Sequence, residues 1–139
     1  MTKSKFRAWH KTWEEMGKIS WILFHDDGKA DTVLFNGRDF NFKLKIDKIE
    51  LMQSTGRKDK NDKEIFAGDI LKVTDKFENK ESWLEIVSYS EEKAMFVTKE
   101  IRNESKVPES PLYNLFDTNL FSIEVVGNIY ENPELLKEK

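Results

Sequence analysis

Phe40, Phe42, Leu44 and Ile46 are separated by the single polar residues Asn41, Lys43 and Lys45. An apolar period of two cannot be buried by a helix, whose faces repeat every 3.6 residues. On a strand it puts all four side chains on one face. That face is expected to pack inward, because a slip of one residue would turn all four outward. Asn36-Gly37 immediately before it is the strongest hairpin signal in the chain. It would join this strand to one over residues 31–35.

Further strands are expected at 18–24, 49–54, 70–73, 83–89 and 94–99, and from Phe121 through Ile123, Val125 and Gly127 to Ile129. Asp26-Asp27-Gly28 ends the first of these, and Gly68-Asp69 launches the strand at 70. Gly127 inside an alternating run marks a bulge or a close backbone crossing. Residues 56–64 and 102–111 read as loops, the second carrying Pro108 and Pro111. Asn132-Pro133-Glu134 is a helix start, with Asn as N-cap and Pro at the first helical position, for a helix of a turn or two. Seven to nine short strands and one terminal helix specify a mainly β protein, α+β at most.

The chain is 139 residues long with 17 aromatics, enough for one ordinary domain with its own core. It contains no cysteine. Disulfides, thiolate nucleophiles and cysteine-ligated zinc or iron–sulfur centres are therefore excluded. Its longest apolar runs, residues 21–24 and 94–97, are far shorter than the roughly 20 residues a spanning helix needs. No membrane partner is expected, and the location expected is the cytoplasm. Asn103-Glu104-Ser105 matches a glycosylation acceptor that has no meaning there. Lysine outnumbers arginine 19 to 4, a bias assigned to an AT-rich genome.

Charge is unevenly distributed. Residues 1–63 hold 14 basic against 10 acidic side chains, and residues 64–139 hold 9 against 16, so +4 and −7 make up the net −3. An acidic chain does not coat nucleic acid by bulk electrostatics. Unlike halves instead favour head-to-tail contact between copies, which closes into rings where the rotation allows.

Three segments are similar to the YopX-like family of phage and prophage proteins. They are Phe6-Arg7-Ala8-Trp9 with Met16, residues 52–71 (MQSTGRKDKNDKEIFAGDIL), and residues 124–136 (EVVGNIYENPELL). The departures are His10 for aspartate, Ser54 for tyrosine, Arg57 for leucine, Asp62 for glycine and Phe66-Ala67 for Tyr-Glu. The resemblance implies an SH3-like C-terminal β-barrel over 53–139, preceded by a β-rich portion over 1–52. It also implies a product of a phage or prophage, made in the cytoplasm of a bacterial host. It supplies no activity and no catalytic residue.

Candidate sites are few. Asp59 to Glu64 has the look of a calcium loop, but Lys63 and Glu64 stand where an EF-hand needs an oxygen ligand and a glycine. His25-Asp26-Asp27 falls short of the three or four converging ligands of a metal site. Glu81, Glu85 and Lys93 form a nuclease-like triplet of a kind common in a chain with 35% charged residues. The basic, aromatic opening is the best candidate for nucleic-acid contact through Arg7, Lys11 and Trp13, with Phe6 and Trp9 assigned to the core. Leu135 and Leu136 either lock the barrel or meet a neighbouring subunit. No catalytic residue, metal, cofactor or small-molecule ligand is expected. The reading is a non-enzymatic interaction or assembly protein that forms a homo-oligomer. The alternative is a nucleic-acid-binding accessory or regulatory factor in phage replication or gene control.

Overall fold

The structure, a computed structural model, describes residues 5–77, 80–101, 108–117 and 119–137. Most of the 102–111 loop and the Asn103-Glu104-Ser105 triplet lie outside the described residues. The described residues are mainly β, and the chain divides between Ser54 and Thr55 into two compact units. On this division, residues 1–54 hold 10 basic and 8 acidic side chains and residues 55–139 hold 13 and 18. The imbalance therefore shrinks, because Arg57, Lys58, Lys60 and Lys63 belong to unit 2.

Unit 1 contains β1 (Phe6–His10), β2 (Glu15–Phe24), β3 (Ala30–Asn36), β4 (Asn41–Lys45), a 3₁₀ turn (Ile46–Lys48) and the first half of β5 (Ile49–Lys58). Its antiparallel sheet runs β4-β3-β2-β1-β5. Pairs such as Ala8 with Gly17 and with Leu51 set the register. Ala8, Val33, Phe35 and Ile49 are buried and packed by Ile19, Ile22, Leu44, Ile46 and Leu51. Burying a residue such as Phe35 contributes about 1.5–3 kcal/mol.

The alternation at residues 40–46 does make a strand, yet its face is not buried along its length. Phe40 is 68% and Phe42 38% exposed. The reason is position. β4 is the outermost strand of unit 1, paired only with β3 through Phe35–Phe42 and Val33–Leu44. The inner strand buries its residues fully, while the edge strand leaves its leading aromatics outside. The Asn36-Gly37 hairpin is also longer than a two-residue turn: Asn36 pairs with Asn41, and the Gly37 N–H donates to Phe40 O at 2.9 Å.

Unit 2 contains the end of β5, β6 (Glu64–Phe66), β7 (Asp69–Asp75), β8 (Ser82–Ser90), β9 (Met95–Glu100), β10 (Ser110–Pro111), α1 (Asn114–Asp117), β11 (Phe121–Asn128) and a 3₁₀ turn (Pro133–Leu136). Its second sheet runs β10-β9-β8-β7-β11, all antiparallel. The core joins Ile65, Leu71, Val73, Val87, Leu112, Leu115 and Ile123, with Trp83, Phe96, Phe116, Phe121 and Val125 packed around them. The alternation of Phe121, Ile123 and Val125 thus faces inward as expected. The short α1 was not legible beforehand.

The two longer signature segments turn out to be structural devices. The Asp59 carboxylate accepts the N–H groups of Asn61 (2.9 Å), Lys63 (2.8 Å) and Val125 (2.9 Å). The Lys60 N–H meets Ile123 O alongside. The β5–β6 hairpin is thereby fastened to β11. Asp62, where the family carries glycine, adopts a left-handed backbone with φ 65°, a conformation aspartate tolerates better than most residues.

At the other end, β11 bulges between Val125 and Gly127. Asn128 is buried; its Oδ1 accepts the N–H of Tyr130 and of Glu131, and its Nδ2 donates to Glu131 Oε1. Asn132 does not cap the following turn with its side chain. Its Oδ1 turns back to the Asn128 N–H at 3.1 Å, and the expected short helix is a 3₁₀ turn. A Cβ on Gly127 would lie 2.5 Å from Asn132 Oδ1. The close approach expected at Gly127 is therefore made by a side chain.

Gly127→Ala must displace the whole Asn132 side chain and break its bond to Asn128, and is expected to cost about 1–3 kcal/mol in urea unfolding. Burial pushes the Asp59 carboxyl up, but the three backbone N–H groups and Lys63 outweigh it and hold it below its ordinary value. Its contribution is complete above roughly pH 4, where the unfolded carboxyl ionises, and fades as pH falls through the lower folded value. Asp59→Ala should cost about 2–4 kcal/mol at pH 7, since it orphans three donors. The loss should shrink on acidification to pH 3 when urea midpoints are compared.

Candidate functional site

Two places in the fold put chemistry at the surface, one in each unit. In unit 1 the turn after β1 carries Trp13, which stacks on His10 with ring centroids 3.8 Å apart and planes 6° from parallel. Trp13 meets the Phe42 edge at 4.8 Å, and Phe42 meets Phe40 at 6.2 Å. His10 is buried, and its Nδ1 accepts the N–H groups of Thr12 (3.2 Å) and Trp13 (3.0 Å). An accepting Nδ1 carries no proton, so the imidazole is neutral with its hydrogen on Nε2. Burial pushes His10 below its ordinary value, Glu15 opposing this and Lys48 adding to it. A buried base thus holds the turn that displays the indole. The outcome is a ledge of three touching rings, with Trp13 46% exposed at one end and Phe40 most exposed at the other.

The residues expected to contact nucleic acid are only partly available on this face. Lys11 donates to Asp47 O at 3.1 Å and pairs with Glu50 at 3.4 Å. Arg7 is half-buried on β1 and already engaged. Phe6 and Trp9, expected in the core, are half-buried and are not among the residues packed against it. Trp13 remains open. The sequence signal for the rest of the ledge, Phe40 and Phe42, is the same alternation that points to a buried face.

In unit 2 strand alternation places Trp83, Glu85 and Val87 on the inner face of β8, with Trp83 opposite Val73 and Glu85 opposite Leu71 on β7. Val87 is fully buried in the core, and Glu85 is only 7% exposed. Its Oε2 accepts the Trp83 indole N–H at 2.7 Å. No cation pairs with it among the described residues. Glu100 sits directly across on β9, with Thr98 beside it on the same face. Thr98 is 2% exposed, and among the described residues its Oγ1 has no hydrogen-bond partner. These groups line a pocket of about 190 Å³ closed by Phe121, Pro108 and Pro111. Phe121 meets Trp83 edge-on at 5.9 Å. The floor is acidic, and the walls combine the rings of Trp83 and Phe121 and apolar groups with the polar side chains of Ser110 and Asn114.

The other candidates are separated by the fold. Lys93, in the turn at the far end of the β8–β9 pair, bonds Glu109 at 3.4 Å and is remote from Glu85. Glu81 is exposed. His25 Nε2 meets Asp31 Oδ1 at 3.0 Å instead of Asp26 or Asp27, and Asp27 accepts the Lys29 N–H. Among the described residues no trio of His, Asp or Glu converges on a metal-sized space. Leu135 and Leu136 are half-buried in the final 3₁₀ turn. Among the described residues no helix is long and apolar enough to cross a membrane.

A mainly β protein of two units, one bearing an exposed aromatic ledge and the other an acidic pocket, is what fold and sites define. The chain belongs to the family described as YopX protein, which matches residues 5–137 and takes in all three signature segments. The crystal structure of protein EF1440 from Enterococcus faecalis is similar over 99% of this chain and 100% of its own, at 26% identity and a TM-score of 0.63. No curated protein matches the chain.

The stacked His10 gives a direct optical readout. Protonation places an imidazolium against the Trp13 ring and removes the acceptor from two backbone N–H groups. Trp13 fluorescence should therefore fall on acidification with a midpoint below about 6.5, the ordinary histidine value. Trp13→Phe should abolish that step.

Proposed function

We propose that this chain is a non-enzymatic interaction or assembly protein that forms a homo-oligomer. The observation that carries the reading is the ledge of Trp13, Phe42 and Phe40. Scattered exposed apolar side chains are ordinary on a protein surface, but contiguous exposed aromatics mark interaction sites. Aromatic rings supply large contact area at low entropic cost, and they are enriched where proteins meet. The charge imbalance between the units, +2 against −5, supports a contact between unlike surfaces. The family resemblance supports a phage or prophage product working in a bacterial cytoplasm. The strand order β10-β9-β8-β7-β11, a meander with β11 returning beside β7, supports the SH3-like reading of unit 2.

A second reading, a nucleic-acid accessory factor, draws on the same exposed Trp13, since an open indole can stack on a base. It ranks lower because Lys11 and Arg7 are already occupied.

Light scattering at two salt concentrations tests the first reading. A multiple of the 16.4 kDa chain mass is expected at micromolar concentration, and Phe40→Ser, at a site with little packing to lose, should shift it toward one chain. A strict monomer at low salt removes this function. Retention of single-stranded DNA at tens of micromolar and low salt, lost in Trp13→Ala, would move the assignment to the second reading.

A further inference from the structure

On the inner face of the unit 2 sheet Glu85, Glu100 and Thr98 gather at one end. A carboxylate as enclosed as Glu85 is costly unless a cation or several donors answer it. Among the described residues it receives one donor, the Trp83 indole. The neighbouring Thr98 hydroxyl, almost wholly buried, receives none from the described residues. A hydroxyl and a carboxylate oxygen thus stand ready to accept hydrogen bonds in a pocket that Trp83 and Phe121 also line.

This chemistry selects its guest. A hydrated divalent metal needs several converging oxygen ligands and gains nothing from aromatic walls. A drug-sized ligand fills roughly 300–1,000 Å³, more than the pocket holds. A guanidinium group has five donors and no acceptor, is flat, and stacks on aromatic faces. Unit 2 already uses that contact, with the Arg57 guanidinium 5.0 Å from the centre of the Phe116 ring.

The chain itself carries a matching donor. Arg38 lies in the exposed loop between β3 and β4, two residues before Phe40. Its backbone N–H is held by Glu15 Oε1 at 2.8 Å, which fixes the loop. Its guanidinium has no ion pair or hydrogen bond among the described residues. We propose that the Glu85–Thr98 pocket of one copy receives the Arg38 side chain of a second copy, with Phe40 packing at the rim. This rests on the self-association proposed above and names its contact. A surface on unit 1 meeting a different surface on unit 2 is a heterologous contact, the kind that builds rings or filaments.

The test is a mutant cycle read by sedimentation, with Glu85→Gln and Arg38→Gln alone and together. Glutamine at 85 keeps the shape and can still accept from Trp83; melting curves confirm that each variant folds. Each single change should weaken association at least tenfold, and the double variant should be little worse than either single one. An oligomer that neither substitution weakens overturns this contact and leaves the assembly function standing. A monomeric wild type removes both. One more arm reads the pocket directly through the Trp83 indole N–H resonance. N-acetyl-arginine amide at millimolar concentration should shift it saturably in Arg38→Gln and not in Arg38→Gln/Glu85→Gln, while the uncharged citrulline analogue should do nothing. No shift at tens of millimolar, or equal shifts by both amides, also overturns the proposal.

Discussion

Unit 2 depends on one carboxylate. A hairpin of two short strands has too little face to stand alone, and the β5–β6 hairpin reaches β11 from a distant part of the sequence. Asp59 closes that gap with one side chain, binding two N–H groups of its own loop and one of β11. An ionised carboxylate makes hydrogen bonds roughly twice as strong as a neutral acceptor does, and its enclosure deepens the effect. The five charged residues from Lys58 to Lys63 crowd a loop whose single indispensable charge points inward.

The same economy governs the C-terminal signature. Glycine at 127 leaves room for the Asn132 amide, and that amide holds the Asn128 backbone where a β-strand must stop. Asn128 then folds the chain over its own side chain. These residues are legible as a motif but make sense only as a mutual fit. Glu85 is a different case. Its neighbours Trp83 and Val87 pack as ordinary core residues, and nothing in packing calls for an acid between them.

Much of the architecture could be read beforehand, because strand alternation and turn chemistry are local. The strands at 83–89, 94–99 and 121 onward, the inward face of Ile123 and the bulge at Gly127 all follow from a period of two and from glycine's lack of a Cβ. Two features of the candidate sites could not be read. Periodicity tells which residues share a face, but whether that face is covered depends on what lies beyond the strand. Phe40 and Phe42 were expected inside for that reason, and the edge position of β4 leaves them out. The pocket was hidden by the converse effect. Glu85 looked like one surface charge among many until the register set it opposite Leu71 and beside Glu100.

Sequence alone determined that this chain is cysteine-free, mainly β and akin to one family, since composition, alternation and short motifs are properties of the chain itself. Tertiary structure decided which strand would be an edge, which carboxylate would be enclosed, and which amide would close on which backbone. Those outcomes are set by strand order and register, and both arise from contacts between residues far apart in the chain.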